Sequence, residues 1–122
     1  MKITTGIDLI EVDRVKASIM RYGNRFLDRI FTPSELAEAE ASPTSLAARF
    51  AAKEAVAKAL GTGIGKVGWL EMEILRGETG QPQIRLHGAA RQLAIDLKLS
   101  TWSISLSHTK SHAIAIAIAT ES

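Results

Sequence analysis

Two acids and a lysine carry most of the chemistry this sequence can offer. Asp8 lies in an apolar stretch near the N-terminus, and Glu54 and Lys58 stand four residues apart in the alanine-rich segment 49–63. Two carboxylates brought within about 4–6 Å repel each other, and one takes up a proton unless a cation holds both. The chain has no cysteine, which excludes a thiolate zinc site, a cysteine nucleophile and a disulfide framework. The cation that suits Asp and Glu oxygens is then a hard one. Mg²⁺ typically takes one or two carboxylates together with water and substrate phosphate oxygens. Lys58, one helical turn from Glu54, adds a point charge for a phosphate. The residues by themselves point to a Mg²⁺-assisted site for a phosphorylated substrate. A plainer reading stands beside it: Glu54 and Lys58 form an exposed i,i+4 ion pair, which contributes about 0.3–0.5 kcal/mol to a helix and has no chemistry.

Whichever holds, a helix must position the pair. Ser42 offers a hydroxyl cap, Pro43 has no N–H to waste in a first turn, and Gly61 sits where a left-handed residue closes a helix. Leu46, Phe50, Ala57 and Leu60 recur at helical spacing as one apolar stripe facing the core. Ala47, Ala51 and Ala55 let a neighbouring backbone approach. Glu54 falls about 40° from the centre of the stripe. Asp8 needs a strand. Residues 3–10 alternate, with Ile3, Ile7 and Leu9 on one face and Gly6, Asp8 and Ile10 on the other, so Asp8 is expected to point away from the better apolar face.

The remaining segments read as scaffold. A helix follows from about residue 13, with Asp13 as its cap, Val15, Ile19 and Tyr22 as its inner residues and Gly23 as its end. Phe26, Ile30 and Phe31 suggest one further helical turn. Thr32-Pro33-Ser34-Glu35 is a capping box that opens an acidic helix to about Glu40. Residues 69–75 and 83–86 read as strands joined by a turn, residues 89–97 as a helix, and the end as a hairpin. In that hairpin Trp102, Ile104 and Leu106 alternate with serines, and Ile114, Ile116 and Ile118 alternate with alanines, so the last strand looks buried on both faces. Strands and helices in this order around one core indicate an α+β fold, one domain over residues 1–122, with an antiparallel sheet and a long central helix.

Composition removes several function classes. Only 5% of residues are aromatic, so the stacking platforms of single-stranded nucleic-acid binding are scarce, and no nucleic-acid-binding signature appears. The longest apolar run, 113–119, is far too short to span a membrane. No targeting segment is evident and the reducing cytoplasm is the expected home. The net charge of +2 permits an acidic partner. Gly61, Gly63 and Gly65 are not a phosphate loop, because Lys66 is followed by Val67 where Ser or Thr is required; they read as a helix cap and a loop. His108 and His112 lack the company of a zinc site. Arg14 and Arg21, seven residues apart, share a helical face, and Arg25 and Arg29 continue the basic strip.

Residues 6–14 (Gly-Ile-Asp-Leu-Ile-Glu-Val-Asp-Arg) and 49–63 (Arg-Phe-Ala-Ala-Lys-Glu-Ala-Val-Ala-Lys-Ala-Leu-Gly-Thr-Gly) resemble the two signatures of the 4′-phosphopantetheinyl transferases, specifically the short bacterial holo-[acyl-carrier-protein] synthases. The likeness extends to residues 105–110 (Ser-Leu-Ser-His-Thr-Lys), in the family's motif order. Gln81 stands where members often have Lys, and the segment before Ser45 is short for the family. The resemblance implies transfer of 4′-phosphopantetheine from coenzyme A to a serine of acyl carrier protein. It also implies Asp8 and Glu54 as Mg²⁺ ligands and Lys58 on the leaving phosphate. Arg49, Gly61, His108 and Thr109 would lie near the nucleotide and its 3′-phosphate, Arg14, Arg21 and Arg25 on the docking helix for the acidic carrier, and the assembly would be a homotrimer with sites between subunits. A basic RNA-binding module, a catalytically silent carrier-protein adaptor and a different Mg²⁺-dependent nucleotide enzyme are the other classes open to these residues.

Overall fold

The computed structural model describes residues 1–121. Strand β1 (Ile3–Glu11) leads directly into helix α1 (Val12–Tyr22), and short helices α2 (Asn24–Ile30) and α3 (Pro33–Ala39) precede the long helix α4 (Pro43–Leu60). A single 3-10 turn (Trp69–Glu71) opens a hairpin of β2 (Met72–Arg76) and β3 (Pro82–Leu86); α5 (Gly88–Asp96) and a second hairpin, β4 (Leu99–His108) and β5 (His112–Glu121), follow. The three long strands form one antiparallel sheet in the order β1-β5-β4. The architecture is α+β, as expected.

Helix α4 lies on the face of that sheet that the small residues make. Ala113, Ala115, Ala117 and Ala119 of β5 stand in register with Ile10, Asp8, Gly6 and Thr4 of β1 on one side, and the first three of these alanines with His108, Leu106 and Ile104 of β4 on the other. All four alanines are buried. With methyl groups on the sheet and Ala51, Ala52, Ala55 and Ala59 on the helix, the two backbones pack closely, and α4 is buried nearly all round. The helix is closed as its sequence predicts: the Ser42 hydroxyl accepts from the Ser45 N–H at 3.2 Å, and Gly61 takes a left-handed conformation. The capping box at Thr32 and Glu35 also forms.

Several expectations are corrected. The face of β1 with the larger apolar residues is the outer one: Ile3, Ile7 and Leu9 are 57%, 54% and 62% exposed, beside the partly exposed Ile114, Ile116 and Ile118. The last strand is therefore buried on its alanine face alone. Helix α1 begins one residue before Asp13, with Glu11 at the capping position and no side-chain cap bond; Asp13 lies in the first turn, where its charge suits the helix dipole. Tyr22 is not an inner residue and stacks under Arg21 at the surface. Residues 69–71 form the 3-10 turn in place of the start of a strand, because Glu71 reaches back to the Gly68 N–H at 2.7 Å and curls the chain.

Lys53 of α4 is fully buried with Glu35 at 2.7 Å. Every partner of that pair is an element of the scaffold: Glu35 also accepts from the Thr32 and Ile74 N–H groups, and Lys53 donates to the Trp69 carbonyl. Burial lowers the Lys53 pKa, and Glu35 opposes that shift by holding the ammonium. This network ties α3, α4 and β2 into one piece. Its Trp69 contact is with the main chain; the Trp69 ring packs on Phe50 with centroids 4.7 Å apart.

Candidate functional site

The site is built by one close approach. A Cβ at Gly6 would stand 1.8 Å from the Ala55 carbonyl oxygen, so only glycine lets β1 come this near to α4. Two residues on, on the same face of the strand, Asp8 is delivered beside the next turns of the helix. There Lys58 donates to the Ile7 carbonyl at 2.8 Å and lies 3.4 Å from an Asp8 carboxylate oxygen. The ion pair of Lys58 is thus with Asp8, from a strand fifty residues away, and the plain i,i+4 pairing is not what the structure shows.

Asp8 and Glu54 line one cavity of about 230 Å³, together with Arg14, Ser18, Phe26 and Phe50. Burial raises the Glu54 pKa, the Asp8 carboxylate adds to the rise, and Lys58 opposes it. Two acids that feel each other's charge in a partly desolvated cleft, with an ammonium at the rim, form a site that favours a further cation. Among the described residues no group of three or more His, Cys, Asp or Glu side chains converges.

The other candidates are not brought to that cavity. Arg49 precedes Glu54 by five residues, which turns it about 140° round α4. It is buried against α3 and β2, donating to Glu38 at 2.7 Å, to the Ile74 carbonyl at 3.2 Å and to the Ser45 hydroxyl. With Ser45, Gly80, Pro82 and His108 it lines a different cavity. His108 also borders a shallow apolar hollow with Thr109, His112 and Leu9, where the Thr109 hydroxyl accepts from the Ser111 and His112 N–H groups and shapes the turn. Gly61 uses its N–H to cap α4, bonding the Lys58 carbonyl at 2.9 Å, and leaves open space where a side chain would stand. Arg14, Arg21 and Arg25 are all exposed on α1 and α2, and Arg14 also lines the carboxylate cavity. Sequence reasoning missed that position for Arg14. It also missed Phe50 as a wall of the site, although Phe50 so near Glu54 on a helix otherwise lined with alanine was a usable sign.

Comparison with known proteins gives the arrangement a context. Residues 4–117 match the 4′-phosphopantetheinyl transferase superfamily. Among curated relatives, the holo-[acyl-carrier-protein] synthase of Dehalococcoides mccartyi is 49% identical, covering 94% of this chain and 96% of its own. That of Moorella thermoacetica is 48% identical, covering 95% and 92%. Among solved structures, Helicobacter pylori holo-[acyl-carrier-protein] synthase in complex with coenzyme A superposes with a TM-score of 0.88 at 31% identity, covering 95% of this chain and 99% of that one. The Neisseria meningitidis enzyme gives 0.88 at 34%, covering 97% and 98%. At this identity, over nearly the whole of both chains, likeness of sequence and likeness of fold agree, and the chain belongs to the holo-[acyl-carrier-protein] synthases of the 4′-phosphopantetheinyl transferase superfamily.

Proposed function

We propose that residues 1–122 act as one transferase domain that moves 4′-phosphopantetheine from coenzyme A to a serine of apo-acyl carrier protein, releasing adenosine 3′,5′-bisphosphate, with Mg²⁺ held by Asp8 and Glu54. The observation that carries this reading is the meeting of Asp8 and Glu54, delivered from two distant segments to one cleft, with Lys58 placed against Asp8. The donor set fits a hard cation: two carboxylate oxygens sources, no thiolate or imidazole, and a mutual repulsion that a cation relieves. Bound there, Mg²⁺ would neutralise charge on the pyrophosphate oxygens. Lys58, on its long flexible stem, reaches the α-phosphate that departs with the nucleotide as the carrier serine oxygen forms its bond to the β-phosphorus. Phe50, held by Trp69, walls the cleft against water. Arg49, His108, Thr109 and Gly61, where no side chain stands, hold the adenosine 3′,5′-bisphosphate portion.

Because the carboxylate cavity and the Arg49–His108 cavity face different ways in one chain, the complete site is read as shared between neighbouring copies in a homotrimer. The exposed isoleucines of β1 and β5 supply an apolar face for that contact. Light scattering at three chain masses is the expected result. The reading places the protein in the cytoplasm, with no nucleic acid or membrane among its partners.

The decisive assay incubates the protein with apo-carrier, coenzyme A and Mg²⁺ and weighs the carrier. A gain of one phosphopantetheine is expected, and an unmodified carrier would reject the transferase reading. The same assay locates the docking face. Arg21→Glu and Arg25→Glu, on the exposed basic strip of α1 and α2, are expected to raise the KM for carrier about tenfold, roughly 1.4 kcal/mol, with little change for coenzyme A. Salt should weaken carrier use by the unaltered protein more than by the variants. Arg14 is less suitable for this test, since a glutamate there would join Asp8 and Glu54. Equal losses for both substrates would put the docking face elsewhere.

A further inference from the structure

The Lys58 ammonium stands in an unexpected place for a group that is to meet a phosphate. It is docked on the carbonyl of Ile7, in edge strand β1, at 2.8 Å, and lies 3.4 Å from Asp8. Both contacts are on the strand that carries the first carboxylate, and the ammonium also acts on Glu54, one turn back on its own helix. Among the described residues, the cation that lines the carboxylate cavity itself is Arg14, on the α1 side. Resting on the reading of Asp8 and Glu54 as a divalent-cation site, we propose that Lys58 is that site's built-in counter-cation: its ammonium neutralises the carboxylates from the Ile7 carbonyl, competes with the divalent ion for them, and is released toward the substrate phosphate when the ion binds.

The physical argument has three steps. Two carboxylates in a partly desolvated cleft repel, and a nearby cation offsets that repulsion. A cation already placed against Asp8 also repels an incoming divalent ion, so it lowers the affinity of the site for metal even though it is no ligand. The Lys58 side chain is about half exposed, at 51%, so its head is free to leave the Ile7 carbonyl without disturbing the core. A lysine that stood clear of the carboxylates and served the phosphate alone would leave metal affinity nearly unchanged when coenzyme A is absent. A counter-cation must lower it.

Mn²⁺ binding to the full chain, followed by the paramagnetic resonance of free Mn²⁺ with no coenzyme A present, separates the two. Lys58→Met and Lys58→Gln are expected to bind Mn²⁺ about tenfold more tightly than the unaltered protein at low salt, and the gap should narrow as salt is added. Lys58→Arg, which keeps the charge, is expected to stay near the unaltered affinity. Equal or weaker binding by both neutral variants, with circular dichroism unchanged, overturns the proposal. Glu54→Gln tests the underlying reading separately: if it binds Mn²⁺ as the unaltered protein does, or if neither binds, the carboxylate site itself is wrong and the counter-cation falls with it. Tight binding by Lys58→Met that Glu54→Gln abolishes in the same background supports both.

Discussion

Asp8→Ala and Glu54→Gln are expected to lower transfer at saturating coenzyme A and Mg²⁺ by about 10³-fold or more, on the order of 4 kcal/mol of barrier, while leaving the fold intact. Each removes one of the two carboxylates in the cleft, and neither residue is part of the buried core. A loss of activity through unfolding is separable, because Glu54→Gln should move stability in the opposite direction. The folded chain holds the Glu54 pKa above the ordinary carboxylate range, through burial first and the Asp8 charge second. Stability linked to such a group is complete below the ordinary range and is lost as pH rises through the folded value, because ionisation is then more costly in the folded state than in the unfolded one. Glutamine stays neutral and escapes that loss. Without added metal at pH 7, Glu54→Gln is therefore expected to melt above the unaltered protein, and the advantage should vanish below about pH 4. Near-normal transfer by either variant at limiting Mg²⁺ would remove the carboxylates from the mechanism. A lower melting point for Glu54→Gln at pH 7 would show that its carboxylate is better satisfied than the cleft geometry indicates.

The parts of the fold that were legible in the sequence are those decided within one turn of chain. Ser42 with Pro43, Thr32 with Glu35, and Gly61 each act on backbone groups three or four residues away, and each forms as its residue type predicts. What sequence could not show was decided by partners far along the chain. Nothing beside Lys53 in the chain points to its partner, Glu35, which lies on another helix eighteen residues earlier. Lys58 reads as the partner of Glu54, at the favoured helical spacing, because nothing near it in sequence reveals the Ile7 carbonyl and Asp8. The inner face of β1 was misjudged for a related reason. Hydrophobicity marks a core face only when the core is made of large residues. Here it is made by backbone proximity, so the buried face carries Gly6 and the alanines of β5 while the larger side chains lie outside. For the site, the triad was legible as residue types and, by resemblance, as roles. The opposed orientations of Arg49 and Glu54 on α4 were implicit in a spacing of five.

Gly6→Ala is expected to be the most damaging single methyl in the chain, costing about 3 kcal/mol or more of stability and disabling the cleft with it. The added Cβ would meet the Ala55 carbonyl oxygen at 1.8 Å, its carbon at 2.8 Å and the Ala59 nitrogen at 2.9 Å. All three are main-chain atoms of α4, a helix packed nearly all round, so no side chain can swing aside and the strand must lift from the helix. Asp8 rides on that strand and would leave with it, drawing the Ile7 carbonyl from Lys58. Thermal melting and Mn²⁺ binding should therefore fail together in Gly6→Ala. Truncating Ala55 or Ala59 to glycine in the same background should recover nothing, since the clash is with backbone. Gly68→Ala serves as the control: its Cβ would lie 3.5 Å from the nearest atom, at an ordinary extended φ of −89°, and a change within about 0.5–1 kcal/mol is expected there. If Gly6→Ala melts like the control and still binds Mn²⁺, the close approach of β1 to α4 is not what positions Asp8 against the helix, and another contact must hold the two carboxylates in one cleft.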